Sequence, residues 1–89
     1  MATVFIPVPI RKLTNGASQV QVKGTSLRDV IDNLDLLFPG TRERIVEGDG
    51  LVPGIAAVID GIAALEGLRV LVGNESEVHF IPAMEGGAL

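Results

Sequence analysis

Gly24-Thr25-Ser26-Leu27-Arg28-Asp29-Val30-Ile31-Asp32-Asn33-Leu34-Asp35-Leu36-Leu37-Phe38-Pro39-Gly40 is the stretch on which the fold turns. Leu27, Val30, Ile31, Leu34, Leu37 and Phe38 recur at the spacing of one helical face. Arg28, Asp29, Asp32, Asn33 and Asp35 take the opposite face. Ser26, with Asp29 three residues on, has the form of a capping box. Pro39-Gly40 stops the helix. A helix with one apolar stripe must lay that stripe against something, so the flanking segments decide the architecture.

Upstream, Val4, Ile6 and Val8 alternate with Thr3, Phe5 and Pro7, a strand with apolar residues on both faces. Pro7 and Pro9 end it, because proline donates no ladder hydrogen bond. Thr14-Asn15-Gly16-Ala17 is a turn, and Ser18 to Lys23 alternates polar with apolar. The pair reads as an N-terminal β-hairpin. Downstream, Thr41 to Val46 predicts a short helix with Ile45 and Val46 turned inward, and Glu47-Gly48-Asp49-Gly50 a loop. Ile55 to Ile59 is a continuous apolar run and predicts a buried strand. Asp60-Gly61 is a turn signal. Ile62–Leu65 and Leu68–Val72 predict two further short strands, and Val78–Ile81 the last.

This order predicts an α+β protein of β-grasp (ubiquitin-like) architecture. A mixed sheet of four to five strands packs on one main helix plus a short helix. The crossover from the second strand to Ile55–Ile59 is long enough for a parallel neighbour. The first and last strands then pair at the centre of the sheet. The expected division is one domain, residues 1–82, followed by a flexible tail, residues 83–89, that leaves the sheet from its middle.

Composition narrows the function classes. Of 89 residues, 47% are hydrophobic, enough for one core in one small domain. There is no cysteine, so disulfides, thiolate nucleophiles, iron–sulfur clusters and zinc knuckles are excluded. Net charge is −4, and Tyr and Trp are absent. The chain therefore offers neither the basic patch nor the aromatic platform that nucleic acid requires, and no nucleic-acid partner is expected. No apolar run approaches the ~20 residues of a membrane span. The first residues lack the basic segment of a signal peptide. The expected location is the cytoplasm, with no membrane association.

The tail reads Pro82-Ala83-Met84-Glu85-Gly86-Gly87-Ala88-Leu89. Two glycines in succession make a thin, pliant thread, because neither carries a Cβ. Cut after Gly87, the chain presents a bare glycyl carboxylate at the end of an arm.

With these pieces in order the chain resembles the ubiquitin-like sulfur carriers of the β-grasp type. The resemblance rests on Val4-Phe5-Ile6-Pro7, on Thr25-Ser26-Leu27-Arg28-Asp29-Val30-Ile31, and on Pro39-Gly40-Thr41-Arg42-Glu43-Arg44. It continues in Ile59-Asp60-Gly61 and in Glu77-Val78-His79-Phe80-Ile81-Pro82-Ala83-Met84-Glu85-Gly86-Gly87. The segment between helix and third strand looks most like the carrier of cysteine biosynthesis. Relatives are the small subunit of molybdopterin synthase and the thiamine-pathway carrier.

The resemblance implies a carrier rather than an enzyme, with no bound cofactor. A ubiquitin-activating-like adenylyltransferase would use ATP to adenylate Gly87, which would then become a thiocarboxylate. A sulfur-accepting synthase would receive the sulfur, for cysteine or a related metabolite or cofactor. Met84, Glu85 and Gly86 form the arm. From Pro82 to Gly87 it reaches at most ~20 Å at ~3.3–3.6 Å per residue. Family carriers in working form stop at the second glycine, whereas Ala88-Leu89 follow here. Three readings stand: a pro-segment removed at the Gly87–Ala88 bond by a JAMM-type metallopeptidase, residues added by cloning, or a protein that does not use the carrier chemistry. Alternatives to the carrier are the synthase small subunit and a ubiquitin-like binding or modifier module.

The remaining polar residues carry less. His79 is the sole histidine and reads as a surface strand residue; no metal site is expected. Asp29, Asp32 and Asp35 read as a solvated helix face, and Glu47 and Asp49 as a turn. Arg42, Glu43 and Arg44 read as surface charges, with docking as the alternative. Leu68, Val70 and Phe80 are the candidates for an exposed apolar docking patch on the open face of the sheet.

Overall fold

The computed structural model describes residues 1–82. Seven strands and two α-helices are formed: β1 Ala2–Phe5, β2 Gln19–Val22, α1 Leu27–Leu37, α2 Thr41–Ile45, β3 Val46–Glu47, β4 Gly50–Leu51, β5 Ile55–Ile59, β6 Ile62–Ala63 and β7 Glu77–Pro82. Short 3₁₀ segments span Val8–Thr14 and Gly67–Arg69. Five strands form one mixed sheet in the order β2-β1-β7-β5-β6, and β3 with β4 forms a small separate ribbon. This is the β-grasp arrangement that the order of elements predicts.

The helix forms where its apolar spacing requires it. Ser26 is its N-cap: the Asp29 N–H donates to Ser26 Oγ at 3.2 Å. The Asp29 carboxylate reaches back and accepts from Thr25 Oγ1 at 3.0 Å and from the Thr25 N–H at 3.4 Å. Two otherwise unpartnered donors at the helix start are thereby satisfied. Leu27, Val30, Ile31 and Leu34 are buried and cover the inner face of the sheet with Val4, Ile6, Val22, Ala57, Val78 and Phe80. Asp35 Oδ1, at the far end of α1, accepts from the N–H groups of Gly40 and Arg42 at 3.0 and 3.1 Å. Arg42 Nε donates to Asp32 at 2.8 Å. One helix thus fixes the start of the next through its own polar face, and Asp29, Asp32 and Asp35 each bond to a neighbouring part of the chain while staying open to solvent.

The hairpin β1–β2 pairs antiparallel from Ala2↔Val22 to Phe5↔Gln19. Its connection is longer than a tight turn, since the two prolines start a 3₁₀ segment that ends at Asn15 in the left-handed region, φ 57°. β1 and β7 pair in parallel at the centre, Thr3↔Glu77 to Phe5↔His79. β5 lies on the other side of β7 and is antiparallel to it, Ile55↔Pro82 to Ile59↔Val78. The long crossover therefore does not make β5 a parallel neighbour of β2; the parallel partners are the first and last strands. Leu68–Val72 is not a strand either. Gly67 adopts φ 69° and opens a 3₁₀ turn. The following residues bond to the start of α1 instead: the Leu27 N–H donates to the Val70 carbonyl at 2.9 Å, and the Val72 N–H to the Thr25 carbonyl at 3.0 Å. Of Ile62–Leu65, only Ile62–Ala63 pairs, as an edge strand on β5.

Candidate functional site

β7 occupies the middle of the sheet, and its last described residue is Pro82. Pro82 pairs with Ile55 at the start of β5, on the side of the sheet where β1 also ends. Gly87, Gly86, Glu85, Met84 and Ala88, the residues to which sulfur carriage and processing were assigned, lie outside the described residues.

The root of the arm is well defined. Three pieces of chain converge on it: Phe5–Arg11 from the end of β1 into the 3₁₀ segment, Gly54 and Ile55 at the start of β5, and His79–Pro82 of β7. With Arg44 of α2 they wall a groove of about 770 Å³. The walls are mostly apolar: Ile6, Pro7, Val8, Pro9, Ile10, Ile55, Phe80 and Ile81. Charge enters through Arg11 and Arg44, and among the described residues no carboxylate lines the groove. The Arg11 Nε donates to the Ile6 carbonyl at 2.9 Å, which holds this side chain against the wall.

The outer face of the sheet carries its own feature. Phe5 and His79, paired across β1 and β7, stack with ring centroids 4.0 Å apart and planes 8° from parallel. Gln19, Val58 and Ile81 surround them by the strand registers. His79 Nε2 lies 3.6 Å from the Glu77 carboxylate on the same strand face. The stack buries much of both rings and sets an aromatic plate beside the groove.

The expected docking patch is corrected. Leu68 and Phe80 are only 2% and 7% exposed and belong to the core. Val70 is half-buried and packs against that core. Strand parity explains Phe80, since Val78 and Phe80 share a face and Val78 is buried beneath the helix. Leu68 is the buried residue of the 3₁₀ segment Gly67–Arg69. Of the outward residues of β7, Glu77, His79 and Ile81, the last two meet the groove. His79 is a strand residue of the open face, and no cluster of three metal-ligating side chains occurs among the described residues.

Asp60 does more than turn the chain. It adopts φ 52°, and its carboxylate accepts from the Glu77 N–H at 2.9 Å and the Ser76 hydroxyl at 2.7 Å. Ser76 Oγ in turn accepts from the Gly73 N–H at 2.8 Å. The Glu77 N–H and then the Ser76 hydroxyl hold the Asp60 carboxyl below its ordinary pKa, because both bonds favour the charged form. This network pins the first residue of β7 to the end of β5, and so sets where the strand begins. It is far from the groove, and its role is positional.

No protein-family model matches the chain, and no curated protein does. Solved structures do. A chain in the crystal structure of the Amycolatopsis orientalis BexX/CysO complex is 27% identical, with a TM-score of 0.89 over 98% of this chain and 100% of that one. Mycobacterium tuberculosis CysO is 25% identical, with a TM-score of 0.86 over 93% and 99%. The small archaeal modifier protein 1 of Methanosarcina acetivorans shares the fold, at 24% identity and a TM-score of 0.73 over 97% and 95%. These neighbours bear out both the β-grasp fold and the resemblance to ubiquitin-like sulfur carriers. Of the described residues, no helix is long and apolar enough to cross a membrane.

Proposed function

We propose that this chain, built on the fold it shares with the CysO structures, is a sulfur carrier whose working group is the carboxylate of Gly87. The observation that carries the reading is the placing of β7. It is the central strand, held by a neighbour on each side, and in the sequence its last residue, Pro82, is followed within five positions by Gly86-Gly87. A carrier needs this division between a rigid body for partners to hold and a slim end for them to act upon.

In the proposed cycle a JAMM-type metallopeptidase first hydrolyses the Gly87–Ala88 peptide bond. A ubiquitin-activating-like adenylyltransferase then catalyses attack of the Gly87 carboxylate on the α-phosphorus of ATP, and pyrophosphate leaves. Sulfide adds to the acyl carbon and AMP departs, which yields the thiocarboxylate. Its sulfur attacks an electrophilic acceptor held by a synthase, in cysteine biosynthesis or a related pathway. Throughout, this chain is a co-substrate; the chemistry belongs to the partners. Glycine at both positions fits the task, because a side chain at either would widen the thread where the partner's channel must close around it.

The test is intact mass spectrometry of the protein produced in its own host. The expected species has lost Ala88-Leu89 and gained the mass difference of sulfur for oxygen. If the chain ending at Gly87, given the host's adenylyltransferase, ATP and sulfide, forms no acyl adenylate and no thiocarboxylate, the proposal fails. A lysine adduct of the chain on other proteins, with no thiocarboxylate, would replace it with the modifier reading.

A further inference from the structure

The groove at the root of the arm has a composition that its surroundings do not explain. The chain carries a net charge of −4, yet the described residues of the groove include Arg11 and Arg44 and no carboxylate. Among the described residues, neither arginine has an ion-pair partner, since the ion pairs formed are Arg42 with Asp32 and His79 with Glu77. The rest of the wall is apolar and only partly closed to solvent. Such a groove fits a short peptide that brings an apolar side chain and a carboxylate close together.

The chain supplies such a peptide next to the groove itself. Pro82 is a wall residue, and Met84 and Glu85 follow it. At ~3.3–3.6 Å per residue, Met84 stays within about 7 Å and Glu85 within about 11 Å of Pro82, whatever path the backbone takes. The proline imposes a fixed φ on the first step, which narrows the directions available. Confinement at this range corresponds to an effective concentration in the millimolar range or above, so even a weak contact is populated.

We infer that the groove is a docking site for the chain's own Met84-Glu85, with the methionine against Val8, Ile10 and Ile55 and the carboxylate between Arg11 and Arg44. A flexible thioether suits an irregular apolar wall. The consequence for a partner is competition: an enzyme that needs the glycines must first draw Met84 and Glu85 out, and its apparent affinity falls by the fraction docked. The inference goes beyond the carrier reading and does not need it, since its test uses no enzyme, ATP or sulfide.

The experiment is two-dimensional ¹⁵N–¹H NMR of the full chain with Met84→Ser, Glu85→Gln and Arg11→Gln, each at low salt and in 0.5 M salt, at two protein concentrations. The expected result is displacement of the Ile10, Arg11 and Arg44 amide signals in both tail variants. High salt should produce the Glu85→Gln pattern in the unaltered chain and change the Glu85→Gln variant little. In Arg11→Gln the Glu85 amide should move, and no displacement should depend on concentration. If the tail variants move only signals of residues next to positions 84 and 85, the docking is refuted. If the displacements grow with concentration, the occupant is a second copy and the intramolecular contact is refuted. Unchanged signals of the core residues Leu34 and Val78 will establish that every variant is folded.

Discussion

Gly24 links β2 to α1, and its replacement by alanine tests how closely strand and helix are fitted. The residue has φ 151°. A Cβ placed on it falls 2.7 Å from Val30 Cγ2 and 2.8 Å from the Val30 backbone nitrogen. The methyl contact can be eased by rotation of one side chain. The contact with backbone nitrogen cannot, because Val30 N–H is bonded to the Ser26 carbonyl at 3.0 Å in the first turn of α1. The helix must therefore shift away from the sheet or the link must change conformation. Backbone strain in a sparsely populated region costs about 1–3 kcal/mol, and overpacking of a fitted site about 1–3 kcal/mol. Together Gly24→Ala should cost about 2–6 kcal/mol, a large part of the roughly 5–15 kcal/mol that holds a domain folded. Gly48→Ala is the control. Gly48 has φ 64° and open space around it, so its replacement should cost only the backbone term, about 1–2 kcal/mol. Urea unfolding followed by far-ultraviolet circular dichroism measures both. If the two variants unfold at the same urea concentration with unchanged slope, close approach at Gly24 does not govern stability and the packing argument is wrong.

Four further outcomes are expected. Leu34→Ala should lower stability by about 2–5 kcal/mol in the same assay, because Leu34 is fully buried under the sheet. Leu36→Ala, at 80% exposure on the same helix, should change it by less than about 0.5 kcal/mol. The Asp60 carboxyl has a folded pKa below its unfolded one, so the unfolded chain binds more protons in acid. Its contribution is fully present above pH ~4 and is lost as the pH falls through the depressed folded value; Asp60→Asn should flatten this acid limb in unfolding curves taken at successive pH values. Gly87→Ala in the chain ending at that residue should slow ATP–pyrophosphate exchange by the adenylyltransferase while leaving the unfolding midpoint unchanged; unaltered exchange would remove the steric part of the carrier argument.

Much of the architecture was legible because its signals are local. The apolar spacing of Leu27–Leu34, the Ser26/Asp29 cap, the Asn15-Gly16 turn and the alternation in Ser18–Lys23 each depend on a few neighbouring residues, whereas Leu37, placed on the same face by its spacing, is exposed at the helix end. The central pairing of first and last strands followed from element order. What failed was decided at long range. Leu68–Val72 has the composition of a strand, but the N–H of Leu27 and the carbonyl of Thr25 take its hydrogen bonds. Phe80 is the exception: its parity with Val78 was in the sequence and points inward, away from the open face to which it was assigned. The groove at the arm's root was invisible, since Pro7–Arg11, Arg44 and Ile55 come together only through the fold. Asp60 read as turn chemistry, and its reach to Ser76 and Glu77 spans 16 and 17 positions.

The parallel register of β1 with β7, Thr3↔Glu77 to Phe5↔His79, has a mechanical consequence. A machine that gripped the arm and pulled would drag β7 lengthwise past β1 on one side and β5 on the other. In that direction the ladder bonds are loaded all at once rather than opened singly like a zip. The body should therefore resist traction on its arm far better than a pull that peels β6 or β2 from an outer edge, so a partner can tug at the thread without unravelling the knot.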